Sequence, residues 1–213
     1  MQLPFSEREF LDVFVAYNTA LWPAAVALWI VSLVVLLLVL RGQRIDRVVS
    51  LLLAVHWAWA GIAYHFAYFA SINPAALLFG GIFLLEALLL GWAGLKREPI
   101  RYVYKRTARH MIGVVLAVYA LAYPLLAMTL VQPYPYTPTF GVPCPTTLFT
   151  VGLFFMSTPA LWRLVAIPLL WTVIGGSAAV LLGVVTDFAL LGAGVLVITY
   201  IIAREVQKRL NAA

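Results

Sequence analysis

The sequence predicts an all-α membrane protein, a polytopic bundle of transmembrane helices with no room for a separate soluble domain. Hydrophobic residues make up 64% of the 213 positions and charged residues 10%, and the mean hydropathy is +1.01. The apolar positions also fall into seven stretches, most of them near the ~20 residues that a helix needs to cross a bilayer. The predicted segments are 20–40, 49–70, 75–95, 111–131, 146–157, 161–185 and 188–203.

Positive charge gives the predicted bundle its orientation. When the seven segments are threaded as alternating spans, all 14 lysines and arginines except Arg8 fall on one side of the membrane. Basic loops stay in the cytoplasm, so we expect the N-terminus outside and a cytoplasmic tail at 206–213. These cations should contact anionic lipid headgroups. No basic surface exists apart from the span ends, so the pI of 9.7 does not indicate nucleic-acid binding.

The first nineteen residues should form an outer interfacial amphipathic segment, 1–19, ahead of the transmembrane domain at 20–205. Phe5, Phe10 and Phe14 lie among acidic residues there, as in a helix resting on a membrane surface. Further along, the hairpin between segments two and three offers Asn73 as a helix N-cap, with Pro74 at the first helical position.

The loop 132–145 has five prolines, three aromatic residues and no charge. Such a stretch is stiff and cannot form a regular helix. A solvated linker would be more polar, so we expect this loop to fold back over the bundle as a lid, although a free linker stays open as an alternative.

The fifth segment is shorter than a normal span. Residues 146–157 would form a helix of about 18 Å, against ~30 Å of hydrocarbon. It is therefore predicted to be short or broken, with one end buried in protein or lining a wet cavity. A tilted neighbour and local bilayer thinning would also explain it.

An outer polar pocket is the first candidate site. His65 lies near the outer end of segment two, at the level of Asn73 and of the start of the fifth helix. Together these residues could present an imidazole, an amide, a thiol and two hydroxyls to a solute. The candidate residues are His65, Asn73, Cys144, Thr146 and Thr147. The alternative is that they only cap helices or bond to the backbone.

A second candidate site lies deeper. His56 and Glu86 fall at matching depth on neighbouring antiparallel segments, and ionisable groups inside a membrane are costly. A His56–Glu86 hydrogen bond or ion pair would satisfy both groups. Such a pair would serve either as a proton or ion relay or as a structural contact that fixes the helix register.

Cofactor evidence is weak in this sequence. Cys144 is the single cysteine; it would be reactive at a helix N-terminus, or inert as a small apolar residue. His65 and Cys144 supply two metal ligands, whereas a site needs three or four, so the metal and any cofactor stay unknown. Asp187 is predicted to cap segment seven. Small residues around Gly175 and Gly192 would allow close helix packing, including packing between copies in an oligomer.

The stretches Tyr64-His-Phe-Ala-Tyr-Phe-Ala-Ser-Ile-Asn-Pro-Ala-Ala76 and Phe140-Gly-Val-Pro-Cys-Pro-Thr-Thr-Leu-Phe-Thr150 carry a family resemblance. Through them the chain resembles one of the families of small bacterial multi-span membrane proteins that are defined only as a domain of unknown function. The likeness covers nearly the whole length. It implies a bacterial cytoplasmic (inner) membrane and no particular activity.

Three functions follow from these features. The preferred one is a small-solute or ion transporter or channel-like protein, with an outer pocket under a proline-rich lid and a His–Glu pair below it. A non-catalytic partner or scaffold protein is the alternative. An intramembrane enzyme or redox protein using Cys144 or His65 comes third, because none of the familiar catalytic motifs is present.

Overall fold

Seven α-helices account for most of the chain in a computed structural model, which describes residues 4–158 and 162–212. They are α1 Glu7–Leu40, α2 Asp46–Trp59, α3 Ala75–Leu95, α4 Ala108–Leu130, α5 Pro143–Phe155, α6 Trp162–Leu182 and α7 Phe188–Ala212. Three predicted features fall partly outside the described residues: the start of segment 1–19, position 161 of segment 161–185, and the last residue of the tail 206–213. The side chain of Arg163, one of the predicted cytoplasmic cations, also lies outside them.

Six of these helical stretches are long and apolar enough to cross a membrane, when α2 is counted through to Ser71. Their outward surfaces are apolar as well: Leu78, Leu88 and Val115 are 67%, 72% and 63% exposed. Large aliphatic side chains in such numbers on an outer surface suit lipid and not water. The fold therefore suggests a multi-pass membrane protein.

The short fifth helix lies at the centre of the bundle. α5 has thirteen residues, about 20 Å of helix, and all of them except Cys144 and Phe154 are buried. The helix begins three residues before the start of the predicted segment 146–157 and ends two residues before its predicted end. Gly152 allows α4 to approach closely, since a Cβ placed there would lie 2.7 Å from the Gly113 carbonyl oxygen.

The first helix differs from the expectation of a separate interfacial segment at 1–19. α1 runs without a break from Glu7, after a capping box formed by Ser6 and Glu9, and Pro23 lies inside it. Its 34 residues make about 50 Å of helix. Asn18, within this helix, is buried and anchors the proline-rich loop.

The proline-rich loop packs against the bundle. The Asn18 amide nitrogen donates to the carbonyl oxygens of Pro135 at 2.7 Å and Thr137 at 2.8 Å. Phe140 is 2% exposed, with its ring 5.1 Å from the His56 ring. We call this side of the bundle the loop end.

The opposite side, which we call the basic end, carries a small strand pair that the all-α prediction did not include. β1 Arg101–Tyr102 runs antiparallel to β2 Ser157–Thr158. The Tyr102 backbone amide donates to Asp46 Oδ1 at 2.9 Å, at the start of α2. Burial raises the pKa of the Tyr102 phenol, and its contact with Ser50 works against that rise. Arg109 joins α4 to α7 here by donating to the Tyr200 hydroxyl at 2.9 Å.

Candidate functional site

Three of the five predicted pocket residues line one cavity at the loop end. His65, Asn73 and Cys144 come from three different parts of the chain and share a cavity of about 240 Å³. His65 lies in a π-helix, Ala60–Phe66, that continues α2. Such wide turns are frequent at functional sites. Asn73 also caps α3, because its Oδ1 accepts a hydrogen bond from the Ala75 amide at 3.1 Å.

The structure does not bring the two threonines to this cavity. Thr146 and Thr147 are fully buried within α5 and do not line the cavity. Because α5 begins at Pro143, both lie inside the helix and not at an open N-terminus. The Thr147 hydroxyl bonds back to the Pro143 carbonyl oxygen at 2.9 Å, whereas the Thr146 hydroxyl has no hydrogen-bond partner.

Sequence reasoning missed a polar group at the same cavity. The Tyr123 hydroxyl on α4 donates to Asp187 Oδ1, and both residues are buried cavity-lining residues. Asp187 ends the 3₁₀ turn Val185–Asp187, so it lies where an N-cap of α7 was expected. Its carboxyl group also faces the Cys144 thiol. One feature of the sequence could have assigned Asp187 to this cavity: Asp187 and His65 are both predicted near the outer side of the membrane.

His65 lies fully buried in an aromatic shell. Its ring centroid is 5.3 Å from that of Trp171 and 4.9 Å from that of Phe83. Neither imidazole nitrogen has a hydrogen-bond partner, and the Trp171 indole nitrogen has none either. The cavity is therefore lined mainly by apolar side chains with a few polar residues among them, the usual composition of a small-molecule site.

Aromatic side chains make up much of the cavity wall. The N-terminal half of α1 contributes several of them, so this region of the chain belongs to the site. The aromatic lining residues are Phe5, Phe10, Phe14, Tyr64, Phe69, Phe79, Tyr123 and Trp171. Among the described residues, no cluster of three histidine, cysteine or acidic side chains is placed to hold a metal ion.

The predicted His56–Glu86 pair is not formed. The His56 Nε2 atom lies 2.7 Å from the Ser32 hydroxyl oxygen, and its ring stacks 5.6 Å from Phe149. Glu86 is fully buried on α3, and neither carboxyl oxygen has a hydrogen-bond partner in the structure. His56 is therefore bonded to α1 and not to α3, and Glu86 is bonded to neither.

The fold suggests a class, a multi-pass helical membrane protein, and the protein has a cavity lined by apolar and aromatic side chains at one end. The chain belongs to the family of unknown function DUF6064, whose model matches residues 7–212. No curated protein and no solved structure gives a significant match.

Proposed function

We propose that this protein is a small-solute transporter of the bacterial cytoplasmic membrane, and that the cavity at the loop end is its solute-binding site. One observation carries the proposal. His65, Cys144 and Asp187 come from three separate elements and line one cavity of about 240 Å³. Ionisable groups inside a membrane protein are costly, so their presence at one cavity favours a functional role.

The proposed orientation puts the loop end outside and the basic end in the cytoplasm, with lysine and arginine side chains at anionic headgroups. Solute would then enter from the outer side, beneath the proline-rich loop. At about 240 Å³ the cavity is smaller than the ~300–1,000 Å³ typical of ligand sites. The proposed solute is accordingly smaller than a drug-sized molecule. His56 and Glu86 are not a shared relay in this proposal.

Cys144 is the only cysteine and lines the cavity, so it reports directly on access to the site. The test measures how fast the neutral reagent methyl methanethiosulfonate modifies Cys144 in the purified protein. Ala178→Phe places a phenyl ring at a cavity-lining position of α6. Val180→Phe, at a position 60% exposed on the same helix, is the matched control.

We expect Ala178→Phe to slow modification by at least about tenfold, a rise of roughly 1.4 kcal/mol in the barrier, and Val180→Phe to leave the rate unchanged. Solutes that protect Cys144 are then tested for uptake into proteoliposomes. An unreactive Cys144, or equal rates in the two variants, would refute the cavity as a binding site. If a solute protects Cys144 from modification but is not taken up into the proteoliposomes, the proposal that the protein is a transporter is refuted.

A further inference from the structure

We infer that the cavity selects a small organic cation, an amine or a quaternary ammonium compound. This inference rests on the proposed function, since it names the class of solute that the same cavity would take. Three features of the lining support it: one buried carboxyl group, the lack of a built-in counter-charge, and walls of aromatic rings.

The carboxyl group belongs to Asp187, which is 8% exposed. It is the only acidic side chain among the described residues that line the cavity, and none of those residues is a lysine or an arginine. Tyr123 donates one hydrogen bond to Oδ1, which leaves acceptor capacity on the carboxylate. A buried carboxylate without a cationic partner is unfavourable, and a bound monocation would remove that cost.

The aromatic walls favour the same class of ligand. The face of an aromatic ring attracts a cation, most strongly for tryptophan, and the attraction grows when water is excluded. Trp171, Tyr64 and Phe79 line the cavity together with Asp187. The Phe79 and Trp171 ring centroids lie 5.5 Å apart, with their planes at 78°, so the rings form a corner and not a flat stack.

The remaining titratable groups at the cavity fit a cation as well. His65 lines the cavity, and when its ring is neutral it carries no positive charge and one of its two nitrogens is a hydrogen-bond acceptor. The Cys144 thiol and the Tyr64 phenol add no positive charge. An anion would meet the Asp187 carboxylate with no cation to offset it, and a neutral solute would leave that carboxylate without a counter-charge.

The test uses two thiol reagents of opposite charge on the purified protein. 2-(Trimethylammonium)ethyl methanethiosulfonate carries a quaternary ammonium group and 2-sulfonatoethyl methanethiosulfonate carries a sulfonate. Each rate at Cys144 is divided by the rate of the same reagent with free 2-mercaptoethanol. We expect the normalised ratio to favour the cationic reagent by on the order of tenfold or more.

Asp187→Asn should bring this ratio close to one, because the amide keeps the shape and an acceptor oxygen but removes the charge. Asp12→Asn is the matched control. It removes a carboxylate that is exposed on α1 and does not line the cavity, so the ratio should stay high. Tetramethylammonium should also slow the neutral reagent in the unaltered protein, and sodium methanesulfonate at the same ionic strength should not.

A normalised ratio near one in the unaltered protein would overturn the inference without the need for any variant. So would a high ratio that survives Asp187→Asn or disappears in Asp12→Asn. If the neutral reagent still distinguishes Ala178→Phe from Val180→Phe in that case, the cavity remains the proposed solute site and only its cation selectivity is lost.

Discussion

Ser32 on α1 and His56 on α2 are joined by a hydrogen bond of 2.7 Å in the interior of the bundle, where neither side chain is exposed. The Ser32 hydroxyl also donates to the Leu28 carbonyl oxygen at 2.7 Å. That bond uses the only hydroxyl proton, so His56 donates from Nε2 to the serine oxygen. This contact, and not Glu86, pairs the Nε2 atom of His56, whereas Nδ1 is buried without a hydrogen-bond partner.

Ser32→Ala should therefore destabilise the protein by about 1–3 kcal/mol, because it leaves the His56 N–H buried without an acceptor. Ser71→Ala is the control, since that hydroxyl is exposed and bonds only to a backbone carbonyl. The measurement is unfolding in detergent. Adding His56→Phe to Ser32→Ala should recover much of the loss. A double variant no more stable than Ser32→Ala would contradict this explanation.

For Glu86 we expect a substitution to stabilise the protein. Both of its carboxyl oxygens are buried without a partner, so Glu86→Leu should raise the melting temperature. Glu7→Leu, which alters an exposed glutamate on α1, is the comparison and should give no such gain. A fall in melting temperature for Glu86→Leu would show that the carboxyl group makes a stabilising contact.

The packing of α4 on α5 depends on two glycines. A Cβ added to Gly113 would lie 2.5 Å from the Gly152 carbonyl oxygen, which is backbone and cannot move aside. We expect Gly113→Ala to destabilise the protein by about 1–3 kcal/mol through overpacking. Gly81→Ala, in the middle of α3 with nothing within 4 Å of the new Cβ, should be neutral or stabilising. Equal effects of the two variants would contradict this packing.

Arg109 ties three elements together at the basic end. Its guanidinium donates to the Tyr200 hydroxyl at 2.9 Å and to the Ser157 carbonyl oxygen at 3.1 Å. A lysine carries one ammonium group and cannot reproduce this fork, so Arg109→Lys should lower the melting temperature. Arg106→Lys, at an exposed position nearby, should not. Similar melting temperatures for the two variants would show that the fork contributes nothing.

The helices were largely predictable because apolar length is a local property of the sequence. The sequence also indicated that His65 and Cys144 could line one cavity, since both lie near the outer ends of their predicted helices. The role of Asn18 was not predictable, because only the fold shows the loop carbonyls that its side chain binds.

Other parts of the site depend on tertiary packing that no spacing rule contains. The start of α5 at Pro143 sets the rotation of the helix and turns Thr146 and Thr147 away from the cavity. The Tyr123–Asp187 bond joins side chains 64 positions apart, on α4 and at the start of α7. His56 finds Ser32 and not Glu86 because helix rotation, which depth along the helix does not determine, selects the partner.

The most direct measurement is the side of the membrane from which Cys144 can be modified. Intact cells and inverted membrane vesicles are treated with the impermeant trimethylammonium reagent, and the modified fraction of this single cysteine is compared. We expect Cys144 to be modified in intact cells and to stay unmodified in inverted vesicles, and we expect Ala178→Phe to slow the reaction in intact cells. Modification only in inverted vesicles would contradict an outward-opening solute site.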